Sequence, residues 1–515
     1  INTNIVDTTC NDSNQVIIRN EDDDDDVISD EGDDDDESPY RDPPPGFLKI
    51  RQSKFNFIPG TVFVEYPPEL GITRNDISKL EKMGRKKLHY SCYWGRNCIK
   101  NAFRRAGFEN SDVNWTAMWS KHQPAEVISS LNCLQKVNHF PASWCIGRKD
   151  RLMRTMQAMR RIHGDEYAFH PEGFTLPSDG LNLERCIKLD GRSKGGKRPS
   201  GGAHKGFWII KPVASSCGRG IKVVNSDKAL ALAKSNKKLL VQRYLADPYL
   251  INRKKFDLRM YCLVTGVDPL RVYIHEEGLT RISTQDYNLK NLKNRFSHLT
   301  NYSINKKSAN FVAATEEEHA ASPVRGESPP CSTNDNGQPT ADNASGEVEG
   351  YKWSLRAFRK WLVEKEGEVV AQQTWKSIDD IILKTIIAAE PELTHSLHSV
   401  ANYRTNCFEL FGFDIFLDKQ LSPHLVEVNI SPSLMGSSPL DKRIKGTLVA
   451  DVCHVTGFHA HDPALLAKYS RLDSKATVPG AGARVPKYKT YMGSDSSPSQ
   501  SDSTNSPASR KKGSD

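Results

Sequence analysis

No stretch of the sequence is apolar for the roughly 20 residues that a helical membrane span needs; the longest candidate, Phe408–Leu417, is interrupted by Glu409 and Asp414. The protein is therefore expected to be soluble, with no membrane partner. There is also no C-x-x-C pair among the 11 cysteines, which are scattered from Cys10 to Cys453 and odd in number. That spacing excludes a zinc ribbon and a dense disulfide framework, and a reducing cytoplasm is the expected home. Apolar residues are scarce for a chain of 515, since 37% are hydrophobic and 8% aromatic against 26% charged. The length fits two to four folded units at about 100–200 residues each, but part of it is too polar to offset the entropy of ordering. The chain starts at Ile1 rather than Met, without a basic segment followed by an apolar one, so it reads as a fragment.

Bases outnumber acids, 71 to 63, for a formal charge of +8. The sum conceals a split: residues 1–37 hold 15 acids and the single base Arg19, a charge of −14, which leaves +22 for residues 38–515. A body this basic implies an anionic partner.

Composition divides the chain. Residues 1–45, with two Asp blocks and Pro43-Pro44-Pro45, are expected to be a disordered acidic arm. Residues 46–145 suggest a small N-terminal α/β domain, with a strand over Thr61–Tyr66 and a helix over Cys98–Ala106. From Arg148 to Arg161, Leu152, Met153, Met156 and Met159 recur at helical spacing between arginines. This predicts an amphipathic helix whose apolar stripe is core and whose basic face is solvated or meets an acidic partner. Residues 188–205 read as a Lys/Gly loop. Gly191–Arg198 within it matches most of a P-loop, but Arg198 stands where a Ser or Thr should be and no strand leads in, so it is set aside.

Apolar runs separated by turns predict a mostly antiparallel sheet from Phe207–Pro212, Ile221–Val224, Leu239–Tyr244, Phe256–Thr265 and Leu270–His275. These complete a central region spanning 146–306, followed by a polar, disordered insertion at 307–350. The region 351–472 then brings helices near Leu355–Lys365 and Ile378–Ala389 and strands at Glu409–Leu417 and His424–Ile430. Residues 473–515 form a basic Ser/Pro-rich tail, expected to be disordered.

Candidate chemistry gathers on these strands. Glu427 and Asn429 are two apart, so they share a strand face, with Val426, Val428 and Ile430 expected behind them. A short link lets Asp414 lie alongside as a hairpin partner. Two carboxylates and an amide oxygen in an apolar sheet suit Mg²⁺; the competing reading is a salt-bridged pair at a sheet edge. Upstream, Lys211 ends a strand, and Gly218-Arg219-Gly220 offers a flexible turn to phosphates. Alternation puts Lys255, Asp257, Arg259 and Tyr261 on one face, opposite Phe256, Leu258 and Met260.

The motifs WIIKPVASSCGRGI, VQRYL, KFDLRMY, DPLRVYIHEEGLTR, HLTNYSINKKS, KWSL, CFELFGFDIFLD and HLVEVNISPSL stand in this order, preceded by KVNHFPASWCIGRKDRL. Together they resemble the tubulin tyrosine ligase-like family, ATP-grasp amino-acid ligases that modify tubulin, and among them the polyglutamylases. About 300 residues carry the likeness. The resemblance implies an α+β ATP-grasp fold with antiparallel sheets flanked by helices. It places Lys211, Arg219, Gly220, Gln242, Arg243, Tyr244, Leu245, Lys255, Phe256, Asp257, Thr300 and Asn301 around ATP. It gives L-glutamate to Arg281, Tyr302, Ser303 and Lys352, and Mg²⁺ to Asp414, Glu427 and Asn429. Lys255, Arg259 and Glu427 are the residues expected to carry the catalytic step, with Arg259 on the acceptor carboxylate or an acyl phosphate.

The expected activity joins free glutamate to Glu γ-carboxylates in acidic tubulin tails through an acyl phosphate. The enzyme would act as a monomer on tubulin or microtubules, in the cytoplasm, on the cytoskeleton, at a cilium or basal body, with no nucleic-acid partner. The alternatives are a glycine or tyrosine ligase of the same fold, or a non-catalytic basic module that binds microtubules or nucleic acid.

Overall fold

A computed structural model describes residues 49–51, 61–63, 88–93, 95–105, 108–192, 206–213, 218–311 and 350–458, all within the unit Pro45–Asp515. The expected acidic arm, the tail, Ala214–Cys217, positions 193–205 of the Lys/Gly loop and positions 312–349 of the insertion lie outside the described residues.

A short antiparallel pair, β1 (Lys49–Arg51) and β2 (Thr61–Phe63), comes first. It is followed by β3 (Leu88–Cys92), α1 (Asn97–Arg105), β4 (Phe108–Asn110), β5 (Ala117–Trp119), α2 (Ala125–Ser130) and β6 (Lys136–Val137). Strands β4-β3-β5-β6 form a parallel sheet in that order. It leads through α3 (Trp144–Gly147) into α4 (Lys149–His163), whose Leu152, Met153 and Met156 are buried as the apolar spacing predicted.

The second sheet is antiparallel, in the order β7-β10-β8-β9, from β7 (Gly173–Leu176), β8 (Phe207–Pro212), β9 (Lys222–Asn225) and β10 (Leu239–Arg243). Helices α5 (Gly180–Arg192) and α6 (Ser226–Ala233) cover one face through Leu183, Ile187 and Ala229, against Trp208 and Val241. Helix α5 takes in residues 188–192, which composition assigned to a loop; Gly191 and Arg192 are its last turn. The apolar stripe ahead of them carries the helix further than the Gly and Lys content suggested.

The third sheet is organised around β12 (Lys254–Val267), a 14-residue strand. Its order is β15-β14-β12-β16-β17, from β14 (Leu279–Asp286), β15 (Lys352–Ser354), β16 (Glu409–Leu417) and β17 (Pro423–Asn429), with β11 (Leu250–Ile251) and β13 (Leu270–Ile274) also pairing with β12. Two short helices, α7 (Arg295–His298) and α8 (Tyr302–Asn305), follow β14. Strand β14 has no clear sequence signal because Thr280, Ser283 and Thr284 occupy buried positions where apolar residues would have announced it.

One face of this sheet is closed by α9 (Leu355–Glu366) and α10 (Glu368–Val400). In α10, Ala371, Thr374, Ile378, Ile381, Ile382, Ile386, Ala389, Leu393 and Leu397 recur every three to four residues and are buried. The helix was expected to end near Ala389, yet it runs through Pro391 to Val400. An interior proline costs about 3 kcal/mol, and burying Leu393 and Leu397 completely recovers roughly 1.5–3 kcal/mol each. The last helix, α11 (Pro439–Thr456), packs with α1 on the other side in a cluster with Tyr90, Phe103, Tyr261, Leu263 and Phe408.

Strand β17 departs from simple alternation. Asp414 pairs with Glu427, but Ile415 pairs with Leu425, so Val426 is the extra residue of a β-bulge. Leu425 therefore takes the core place expected of Val426, beside Val428 and Ile430.

Candidate functional site

Antiparallel register places charged residues in two rows on the open face of the third sheet. In the first, Asp257 lies opposite Arg281, which lies opposite Lys352. Two residues along β12, Arg259 lies opposite Asp414, which lies opposite Glu427. Arg281 grips Asp257 through Nε (2.6 Å) and Nη2 (2.7 Å) and reaches Asp414 at 2.7 Å. Arg259 Nε donates to the other Asp414 oxygen at 2.6 Å. These are charge-assisted bonds between buried groups. Burial alone would raise the Asp414 carboxyl, but Arg259 and Arg281 outweigh it and hold the group well below the usual carboxylate range. Gly412 makes the row possible: a Cβ there would sit 2.8 Å from Pro432 Cβ and 3.3 Å from Arg259 Cδ, in the space that the Arg259 side chain crosses.

Two buried lysines approach from the second sheet and from β12. Lys211 Nζ donates to Gln242 Oε1 at 2.9 Å. Its ammonium is depressed to about 8 by burial, with Glu427 and Asp414 near enough to oppose the shift. Lys255 Nζ lies 3.1 Å from Tyr244 Oη and over the Tyr244 and Phe416 rings; burial lowers it to about 7. Both amines are thus held in low dielectric with no carboxylate in hydrogen-bonding contact among the described residues, an arrangement that favours an incoming anion.

The other expected residues divide. Thr300 Oγ1 donates to Asp257 Oδ2 at 2.5 Å. Lys352 Nζ bonds Asp441 Oδ2 at 2.6 Å and lies 4.0 Å above the Tyr302 ring. Ser303 is on α8 beside Tyr302, and Asn301 precedes that helix, close to Gly218. Arg219 and Gly220 are exposed on the turn after β8, where Arg295 Nη2 donates to the Gly218 carbonyl at 2.9 Å. Tyr244 and Leu245 are buried at the end of β10.

Two residues point elsewhere. Arg243 bonds Glu172 (2.7 Å) and Asp190 (2.6 Å) on the helix-covered face of the second sheet, because successive strand residues alternate and Gln242 faces Lys211. Phe256 lies in the core 5.2 Å from Phe358. Only their backbones face the lysine side.

Asp414, Glu427 and Asn429 meet at the edge of the sheet. Asn429 uses its amide nitrogen on the Gly412 carbonyl (3.3 Å) and on Glu427 (3.5 Å), which leaves its carbonyl oxygen for a cation. Glu427 is half-buried, with Lys149 Nζ at 3.7 Å. Three hard oxygen donors of this kind fit Mg²⁺, although both Asp414 oxygens already accept from arginine. Sequence reasoning missed Lys149 and Asp441. Asp441 is wholly buried between Lys352, Lys445 and Ser437 at the start of α11, and a helix N-terminal Asp reads from sequence only as a cap.

Comparison with known proteins identifies the family. A family model described as "Tubulin-tyrosine ligase family" matches residues 127–324 and 332–463, more than half of the chain. The chain belongs to the tubulin-tyrosine ligase family. Tubulin monoglutamylase TTLL4 of Homo sapiens is 37% identical over 406 residues, covering 77% of this chain and 30% of that protein. Tubulin polyglutamylase TTLL5 of Homo sapiens is 37% identical over 359 residues, covering 69% and 24%. Tubulin polyglutamylase TTLL6 of Mus musculus is 34% identical over 368 residues, covering 69% and 39%. The chain thus spans between about a quarter and two fifths of the length of these relatives. The mixed architecture of helices and antiparallel sheets is that of the family, whose match includes every charged residue of the two rows.

Proposed function

We propose that this tubulin-tyrosine ligase family chain is an ATP-dependent ligase that joins L-glutamate to Glu side chains in acidic tubulin tails. The observation that carries the reading is the approach of Lys211, on the second sheet, to Glu427 and Asp414 on the third, with Lys255 beside Lys211 and Asp257. The names of the relatives support tubulin as substrate and glutamate as donor. A carboxylate is a poor electrophile, so amide formation needs activation, and transfer of a phosphoryl group from ATP supplies an acyl phosphate. The two lysines offset charge on the phosphates. Bound Mg²⁺, held by Asp414, Glu427 and Asn429, would supply further charge neutralisation.

Arg259 holds Asp414 through Nε, so its Nη groups are available to the acceptor carboxylate or acyl phosphate. The Nη1 group of Arg281 and the ammonium of Lys352 suit a donor with two carboxylates. The expected setting is the cytoskeleton, since the substrate is tubulin, and no described helix is long and apolar enough to cross a membrane.

The test is incubation with tubulin, ATP, Mg²⁺ and radiolabelled Glu, Gly or Tyr, with mass spectrometry of the tails. Glutamate should add to acceptor Glu residues; incorporation of Gly or Tyr alone would overturn the donor assignment. A purely binding module would tolerate Glu427→Gln, whereas the ligase should lose turnover and still bind tubulin.

A further inference from the structure

A buried lysine attracts a phosphate only while it carries its charge, and burial works against that charge in Lys255. The groups around Lys255 decide how far the charge survives. Among the described residues, the charged and titratable groups that face it are Asp257 on its own strand, Lys211 from β8, and Tyr244 with His298 behind it. Strand β16 adds the Phe416 ring. The Asp257 carboxylate is already taken by Arg281 and Thr300. Lys255 Nζ donates instead to the Tyr244 hydroxyl, at 3.1 Å.

A phenol can accept from an amine or donate to it, and its surroundings settle which. Tyr244 follows β10 and His298 is the last residue of α7; both are buried. His298 Nε2 lies 3.1 Å from the Asn291 carbonyl, a group that only accepts, so the N–H of the ring is there. Burial and Lys255 both lower His298, which keeps the imidazole neutral and leaves Nδ1 as a bare acceptor. Tyr244 Oη is 2.9 Å from that nitrogen and therefore donates to it. Tyr287, which Asp247 faces in turn, stands beside Tyr244 as a second acceptor, since its own hydroxyl donates to the Ala246 carbonyl at 2.8 Å. The His298 ring packs edge-on against both tyrosines, with centroids 5.7 and 5.5 Å apart. The phenolic hydrogen thus points away from Lys255, and oxygen lone pairs face the amine.

We infer that His298 is a positioning residue that acts through Tyr244 to keep Lys255 protonated and aimed at the phosphates of the nucleotide. This rests on the ATP-dependent reading above. An ammonium gains a charge-assisted bond from an oxygen that only accepts, whereas a neutral amine is favoured by a hydroxyl that donates to it. By taking the hydroxyl hydrogen, His298 removes the second option. Tyr244 then uses one of the three ammonium hydrogens and leaves the others for phosphate oxygens.

The test is the affinity of the full chain for ATP with Mg²⁺, measured by calorimetry between about pH 6 and pH 8. Tyr244→Phe keeps the ring over which Lys255 lies and removes only the oxygen. Loss of a hydrogen bond to the charged form should lower Lys255 by about one pH unit. Because ATP favours charged Lys255, affinity is full below the free-protein value of that lysine and falls as pH rises above it. Tyr244→Phe should therefore bind about twofold more weakly than the unsubstituted chain near pH 6 and about tenfold more weakly near pH 8. His298→Phe together with Tyr287→Phe takes both acceptors from the hydroxyl and should weaken binding with the same pH dependence. Added to Tyr244→Phe, that pair should change affinity by less than about twofold, since it acts only through the missing oxygen. A loss of equal size at every pH would mark a packing role and overturn the inference, as would no loss, or losses that add in the combined chain. An unsubstituted chain that binds no ATP would overturn the nucleotide reading, and the inference with it.

Discussion

Arg281 touches two carboxylates at once, and that arrangement decides which substitutions damage folding and which damage only chemistry. Asp414→Asn would leave Arg259 and Arg281 short of their shared buried counter-charge. Breaking such a network costs about 3–5 kcal/mol, so urea unfolding should show a loss of that size together with lost turnover. Glu427 is half-buried and meets Lys149 only at 3.7 Å; Glu427→Gln should change stability by about 1 kcal/mol or less while lowering turnover at least 10²-fold. A thermal melt beside an activity assay separates the two cases. Under the proposed function, the lysines should set the pH behaviour of nucleotide binding. Burial holds Lys255 near 7 and Lys211 near 8 in the free protein, and a bound phosphate favours their charged forms and raises both values. Binding near pH 8 should therefore take up protons, and ATP affinity should fall as pH rises from about 7 to 9. Calorimetry in buffers of different ionisation enthalpy reads the uptake directly; proton release would contradict the assignment. The pairing of His298 with Tyr244 was hidden from sequence reasoning for a simple reason: a Tyr at a strand end and a His 54 positions away carry no shared pattern.

Among the elements, α9 and α10 show how much local sequence can specify. Gly367 joins them at φ 88°, ψ 158°, a conformation nearly confined to glycine. A Cβ there meets nothing within 4 Å, so Gly367→Ala should cost about 1–3 kcal/mol through the backbone alone; chemical denaturation with an unchanged m-value would confirm it. The apolar spacing of α10 was legible from Ile378 to Ala389 but not in its first ten residues, whereas its passage through Pro391 depended on the burial of Leu393 and Leu397, which local rules do not contain. Leu393→Ala should cost about 2–5 kcal/mol, measured the same way, if those last turns hold the helix together. Strands with alternating or wholly apolar residues, such as β12 and β16, were readable with nearly their observed bounds. Strand β14 was not, since Thr280, Ser283 and Thr284 take buried places. The bulge at Val426 was likewise invisible, because register is a relation between two strands and not a property of either.

For the whole molecule, the charge of +22 outside residues 1–37 predicts that an acidic tail is drawn to the body by a field that salt screens. The KM for a tail peptide should rise several-fold between about 0.05 and 0.3 M salt while kcat changes little, as the Debye length shrinks from above to below 10 Å; a salt-independent KM would count against electrostatic capture. The sequence by itself determined the absence of a membrane-spanning run, the division of charge, the helical and strand periodicities and, through ordered motifs, the ligase family. Those depend on spacings within a few residues or on residue identity. Tertiary structure decided that Asp257 faces Arg281 and Arg259 faces Asp414, that Arg243 and Phe256 turn their side chains away from the lysines, and that His298 meets Tyr244 beside Lys255. Each of these joins segments far apart in the chain, and only the pairing of strands and the packing of their faces sets the distances between them.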